Sequence, residues 1–384
     1  MSKIYMDHSA TTPVDPEVVR VMLGALTDSF GNPSSIHGYG NQARLAIEKA
    51  RKQIALLIGA SPDEIVFTSG GTESDNMAII GAAHTYQSRG RHIITSKIEH
   101  HAVLDAFKHL ERQGYETSYL PVNRSGQVDI ETVAQAIRPD TILISIMHAN
   151  NEIGTIEPIG EIGKLARSQG IVFHTDAVQT VGRIPVDVKA LNADVLSLSG
   201  HKFYGPKGIG ALYIRSGIKP APLFYGGGQE RTWRSGTENV PGIVGLGQAA
   251  EMALNNMSER SAHLQELAQA LNNRILNEIP QAYLTGHPRN RLPGHTSFVF
   301  LGVEGAAMLV FLDSEGIAVS GGSACTSNSF DPSHVLTALG LTKDAAHSSL
   351  RVTFGKDNTY ADIDRLMEVL PGIIERQRLL WNLM

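Results

Sequence analysis

Lys202 stands in the run Ser199-Gly200-His201-Lys202-Phe203-Tyr204-Gly205-Pro206-Lys207-Gly208, one amine among hydroxyl, imidazole and glycine neighbours. A lysine amine can act as a nucleophile toward a carbonyl compound, and the surrounding donors suit an anion such as a phosphate. Asp176 closes an apolar run and opens into Ala177-Val178-Gln179. A carboxylate beyond a buried strand needs a partner, because an unpaired charge in a low-dielectric site is costly. An ion pair with Lys202 is one partner; a protonated heteroaromatic nitrogen is the other. The segment Thr68-Ser69-Gly70-Gly71-Thr72-Glu73-Ser74-Asp75-Asn76 leads into an Ala/Ile-rich stretch. Free N–H groups at such a helix start can bind an anion, and the same residues can serve as a plain capping box. Cys325 is the chain's one cysteine and lies in Gly321-Gly322-Ser323-Ala324-Cys325-Thr326-Ser327, where small and hydroxylic residues replace apolar packing neighbours. That context predicts a mobile, exposed loop with a reactive thiol.

These residues need a frame, and short apolar runs supply it at Ile65 to Phe67, Ile93 to Thr95, Ile142 to Met147, Ile171 to Phe173, Val195 to Leu198 and Ala211 to Ile214. Each predicts a buried strand. Between them lie stretches of helical period, such as Leu45, Ile47, Ile54, Leu57 and Ile58, or Val103, Leu104, Phe107 and Leu110. The alternation predicts an α/β domain with a mostly parallel sheet covered on both faces, whose ligands bind outside the carboxyl ends of the strands. From about Ser258 the pattern changes to a long helix with Leu264, Leu267, Leu271 and Ile275 on one stripe. Strands at Thr296 to Phe300 and Leu350 to Phe354, a helix at Ala306 to Leu312 and a last helix from Tyr360 complete a smaller α+β unit. The expected division is residues 15–257 for the large domain, with 1–14 and 258–384 forming the small one.

Composition narrows the function classes. The 384 residues are 42% hydrophobic and 18% charged, without the run of about 18 apolar residues that a membrane helix needs. A net charge of -5 offers no basic field for nucleic acid. The N-terminus lacks the apolar stretch of a signal peptide, so a cytoplasmic protein is expected. A single cysteine excludes an intrachain disulfide and a multi-thiolate zinc site. His100-His101 suggests no metal either, since adjacent side chains point apart. Gly245-Leu246-Gly247-Gln248-Ala249-Ala250 matches a dinucleotide fingerprint but lacks a preceding strand, so a small-residue packing face is the better account.

With these residues in view, the chain resembles a cysteine desulfurase of the NifS/IscS type, in the class V aminotransferase family of fold type I pyridoxal phosphate enzymes. The matching segments are Asp7 to Pro13, Phe30 to Ser35, Gly71 to Ser74, Glu99-His100, Asn150 to Glu152, His174 to Gln179, Ser199 to Lys202, Arg234 to Asn239 and Ser323 to Ser327. The resemblance implies a large domain with a mostly parallel seven-stranded sheet plus a smaller α+β domain. It implies pyridoxal 5'-phosphate as cofactor, held as a Schiff base by Lys202, with Asp176 on the pyridinium nitrogen and Gln179 on the ring hydroxyl. Gly71, Thr72, Ser199 and His201 would hold the phosphate, Thr237 would reach the phosphate of a neighbouring subunit, and His100 would stack on the ring. Asn151 and Arg351 would bind the substrate carboxylate. The implied reaction takes L-cysteine to L-alanine and leaves sulfur on Cys325 as a persulfide, with His100 helping to move protons. The implied assembly is a homodimer that serves a sulfur-acceptor protein such as an iron-sulfur scaffold. Other readings are a selenocysteine lyase or aminotransferase of the same fold, or a noncatalytic sulfur-carrier scaffold. A plain aminotransferase needs no protein thiol, and the intact Asp176, Lys202 and Cys325 set argues against a noncatalytic role.

Overall fold

The computed structural model describes residues 3–322 and 331–381, so Cys325 lies outside the described residues. Seven strands form the main sheet: β1 (Ile65–Thr68), β2 (His92–Ser96), β3 (Glu116–Leu120), β4 (Thr141–Ser145), β5 (Val172–Asp176), β6 (Val195–Ser199) and β7 (Gly210–Ile214). Their spatial order is β1-β7-β6-β5-β4-β2-β3. All neighbours pair in parallel except at β7, which runs antiparallel to both β1 and β6. Six of the seven are buried along their whole length, as continuous apolar runs require when helices cover both faces. β3 is the exception, a half-exposed edge strand of sequence Glu-Thr-Ser-Tyr-Leu that the apolar runs do not reveal.

The helices follow the expected stripes with one correction. Ile47, Ile54, Leu57 and Ile58 are buried in helix Gly38–Ile58, whereas Leu45 is 71% exposed and faces away from the core. Ile47 and Ile54 are two turns apart on one face, and Leu45 points about 160° away from Ile47 because each residue turns by roughly 100°. The glycines of the Gly245-Leu246-Gly247 run close a helix contact: a Cβ at Gly247 would come within 2.6 Å of Ala50. A packing face is what the structure shows there.

One helix, Val240–Glu278, joins the two halves of the chain. It is continuous across Ser258, so the two helical patterns seen in the sequence are one element. Its residues through Met257 share a core with helices Pro16–Thr27 and Gly38–Ile58. From Leu264 onward they share another with strands His295–Phe300 and Ser349–Thr353 and helix Tyr360–Trp381. The N-terminal segment belongs to this second core: Met6 is fully buried in it, and Ile4–Tyr5 pairs in parallel with Ile317–Ala318. Residues near the two ends of the chain thereby meet the end of the main sheet. Among the described residues no helix is long and apolar enough to cross a membrane.

Candidate active site

A cavity of about 300 Å³ opens at the carboxyl ends of β1, β4, β5 and β6. Gly71, Thr72, His100, Asn151, Asp176, Gln179, Ser199, His201, Lys202 and Arg351 all line it, joined by Ser9, Ala10, Asp75, Met147 and Val178. Asp176 and Ser199 are the last residues of their strands, so the backbone fixes where they point. Gly71 begins helix Gly71–Tyr86, and its Cβ would fall 2.7 Å from Val178 Cγ2, a contact that excludes any larger residue without movement.

Lys202 ends a single 3-10 turn, Gly200–Lys202. Its Nζ donates to the carbonyls of Ser9 at 2.6 Å and Ala10 at 2.9 Å. The turn is tied to the same N-terminal segment by Thr12, whose N–H and hydroxyl both donate to His201 O. Arg183 reinforces that contact through His8 O and is buried deeply enough that its pKa falls to about 10. Asp176 accepts from Val178 N at 2.9 Å. Burial pushes its pKa up, while that hydrogen bond and the Lys202 charge pull it down. Behind it lies Asp75, fully buried, its carboxyl held far above the usual range by desolvation and by the nearby Asp176. His174, also buried, stays neutral at a pKa of about 3 while it bridges Ser145 Oγ and Ser197 Oγ.

His100 caps helix His101–Glu111: its Nδ1 accepts from Ala102 N at 3.1 Å. An accepting Nδ1 carries no proton, so the neutral ring holds its proton on Nε2. Burial, then the charges of Lys202 and His101, lower its pKa to about 4. His201 is lowered to about 4 as well, by burial first and Lys202 and Lys207 next. Both rings are neutral near pH 7.

On the opposite wall, Arg351 Nη2 donates to Asp7 Oδ1 at 2.8 Å and Nη1 to Asn151 O at 3.0 Å. Its Nε is buried with no hydrogen-bond partner among the described residues. Asp7 Oδ2 in turn accepts from Ser320 Oγ at 2.7 Å, and the Ser320 and Arg351 backbones exchange two hydrogen bonds. Ser320 is thus bridged to Arg351 in the neighbouring strand Ser349–Thr353, two residues before Gly322, the last described residue ahead of Cys325. Glu152 is nearby and buried, accepts from Ser333 Oγ at 2.5 Å, and has its pKa raised to about 7 by desolvation.

The pocket's chemistry fits a phosphorylated pyridine aldehyde. Gln179 donates from Nε2 to Ser9 O, but its buried Oε1 is without a partner among the described residues and is free for a ring hydroxyl. Asp176 supplies a buried carboxylate for a protonated ring nitrogen, Lys202 an amine for the aldehyde, and the start of helix Gly71–Tyr86 with Ser199 and His201 a set of donors for phosphate. Thr237 stands apart: it lines a neighbouring recess of about 240 Å³ with Thr68, Ser69, Arg234 and Asn239. Asp75 and Asp7 went unassigned in the sequence. Asp75 is hidden in a polar run that reads as helix capping, and Asp7 meets Arg351 only across the whole length of the chain.

Comparison with known proteins agrees with this geometry. The aminotransferase class-V family profile matches residues 4–366. The chain belongs to that family, a class of pyridoxal 5'-phosphate enzymes with the fold type I architecture. Within it the chain falls among the cysteine desulfurases, and desulfuration of cysteine is its activity. It is 54% identical over 376 residues to cysteine desulfurase IscS of Dictyoglomus turgidum, covering 98% of this chain and 95% of that one. It is also 54% identical to cysteine desulfurase IscS of Methanosarcina thermophila, covering 98% and 93%. Among solved structures, a NifS-like protein superposes with a TM-score of 0.92 at 39% identity, covering 97% of this chain and 100% of that one. SspA in complex with cysteine gives 0.82 at 41% identity, covering 93% and 100%.

Proposed function

We propose that this chain moves the sulfur of L-cysteine onto Cys325 as a persulfide and hands it to an acceptor protein such as an iron-sulfur scaffold, working as a cytoplasmic homodimer. The observation that carries the reading is the single cavity in which Lys202, Asp176, His100 and Arg351 converge. Bound there, pyridoxal phosphate supplies an electron sink for charge developing at the substrate Cα.

The protein's own groups do the rest. Arg351 receives the substrate carboxylate, and its fork is fixed in advance by Asp7 and the Asn151 carbonyl. Lys202, set beside the Ser9 and Ala10 carbonyls, takes the proton from the substrate Cα. His100 presents its Nε2–H to the cavity as a hydrogen-bond donor, which suits holding the substrate in place while its protons move. The Cys325 thiolate attacks the substrate sulfur; the carbon–sulfur bond breaks, a sulfur–sulfur bond forms, and the carbon left behind takes up a proton and becomes the alanine methyl group. Cys325 ends as the persulfide, so L-cysteine and one thiol give L-alanine and one persulfide with atoms in balance.

Two features support a dimer. Leu23, Leu26, Ile36 and Tyr39 are each more than half exposed on or beside the first two helices, an apolar area of the kind that marks a protein contact. Thr237 lies outside its own chain's cavity and is available to another's. The relatives named IscS support the iron-sulfur acceptor. Replacing Lys202 by alanine tests the reading: the variant keeps its fold by circular dichroism and releases neither alanine nor sulfur from L-cysteine. Turnover at the original rate would remove Lys202 from the chemistry.

A further inference from the structure

Glu230, Arg231 and Thr232 are three consecutive residues with φ of 45°, 56° and 71°. That region suits glycine, and a β-branched residue such as Thr232 fits it worst. Strain of this kind persists only where the surroundings over-determine it. Here the holder is visible. Glu230 Oε1 accepts from Arg51 Nη2 at 2.7 Å, and Oε2 accepts from Arg51 Nη1 at 2.9 Å and from Phe67 N at 2.8 Å. The two side chains are 5% and 4% exposed, and Arg51 also donates to Ile65 O at 2.8 Å. The clamp is bidentate, dry and bonded to the backbone of β1.

The next residues are tied to the same place. Arg231 donates to the carbonyl of Asp63, and Arg234 Nε donates to Glu73 Oε1 at 2.8 Å, while Glu73 Oε2 accepts from Ser69 N. The stretch from 230 to 237 is therefore registered against the crossing from β1 to Gly71 and Thr72. An ordinary loop would not need a buried ion pair to hold three side-chain-bearing residues in a left-handed turn.

We propose that the Arg51–Glu230 pair is a positioning device for the shared site: it enforces the turn at 230–232 and so presents Thr237 to the cofactor phosphate of a second copy. This rests on the reading that Thr237 acts across the dimer. Neither residue lines the cofactor cavity, so the test measures cofactor retention, as the rate at which pyridoxal phosphate leaves the holoenzyme on dilution into buffer containing a carbonyl trap. Glu230→Gln, and Arg51→Lys, which keeps the charge but loses the fork, should each release cofactor about tenfold faster, the loss expected for one charge-assisted hydrogen bond. Thr237→Ala should do the same.

The deciding variant is Thr232→Gly, which adopts the left-handed turn without strain. Alone it should leave release at the original rate, and combined with Glu230→Gln it should restore most of the retention. Fast release that Thr232→Gly does not relieve would make the pair a plain fold anchor and overturn the proposal. So would unchanged release in Glu230→Gln and Arg51→Lys while Thr237→Ala loses cofactor; the composite site would then stand. Unchanged release in Thr237→Ala would instead remove the composite site, and the proposal with it.

Discussion

Asparagine at position 100 separates two tasks that one histidine performs. The His100 Nδ1 accepts from Ala102 N and caps helix His101–Glu111, while the ring lines the cavity with its proton on Nε2. Loss of a cap costs about 1 kcal/mol, and asparagine is among the best caps. At pH near 8, where the ring is neutral folded or unfolded, His100→Ala should lose about 1 kcal/mol of stability and His100→Asn less than about half of that. Both should lose turnover by about 10²–10³-fold, the range for losing one preorganised hydrogen-bond donor.

Acid adds a second, independent signature. Folding lowers the His100 pKa from 6.5 to about 4, so the unfolded chain binds the proton more readily and stability falls as pH drops through that window. Near pH 5 this penalty is about 2 kcal/mol, and His100→Asn is relieved of it. Urea unfolding of the cofactor-free proteins measures stability at the two pH values, and alanine release with saturating L-cysteine and dithiothreitol measures turnover. Turnover at the original rate in the asparagine variant, or equal destabilisation of both variants near pH 8, would refute the division of labour.

Glu152, raised from 4.5 to about 7 by burial, binds its proton more tightly in the folded state, so stability declines as pH rises between those values. Glu152→Gln should be the more stable protein by about 3 kcal/mol near pH 8 and show little advantage near pH 4; an advantage that does not change with pH would contradict the burial argument. For the dimer, mixing Thr237→Ala subunits with Lys202→Ala subunits should leave one site with both defects and one with neither, hence about half the original activity per mixed dimer. A mixed dimer with only half the activity of the Thr237→Ala homodimer would place Thr237 and Lys202 of one chain in one site.

Much of the frame was legible because buried parallel strands are continuous apolar runs, and polar groups that follow them directly, as Asp176 and Ser199 do, mark the ligand side of the sheet. β3 escaped because an edge strand with Thr117 and Ser118 half exposed has no apolar run to show. The reversal of β7 escaped because strand direction leaves no trace in side-chain pattern. The helix across Ser258 changes which core it faces without changing its backbone, so a compositional shift looked like a new element. Asp7 reaches Arg351 across 344 positions, and periodicity carries no information at that range. The Arg51–Glu230 clamp was likewise invisible, since neither residue lies in a chemical motif and their meeting depends on the packed helix and β1.

The central claim is that sulfur leaves L-cysteine by passing to Cys325. Mass spectrometry of the peptide that carries Cys325, after reaction of the holoenzyme with one equivalent of L-cysteine and no reductant, tests it directly. The account predicts a gain of one sulfur atom at Cys325 with an equal amount of alanine released, and for Cys325→Ser, binding of L-cysteine without either product. Alanine released by Cys325→Ser at the original rate, or by the original protein with Cys325 unmodified, would contradict it.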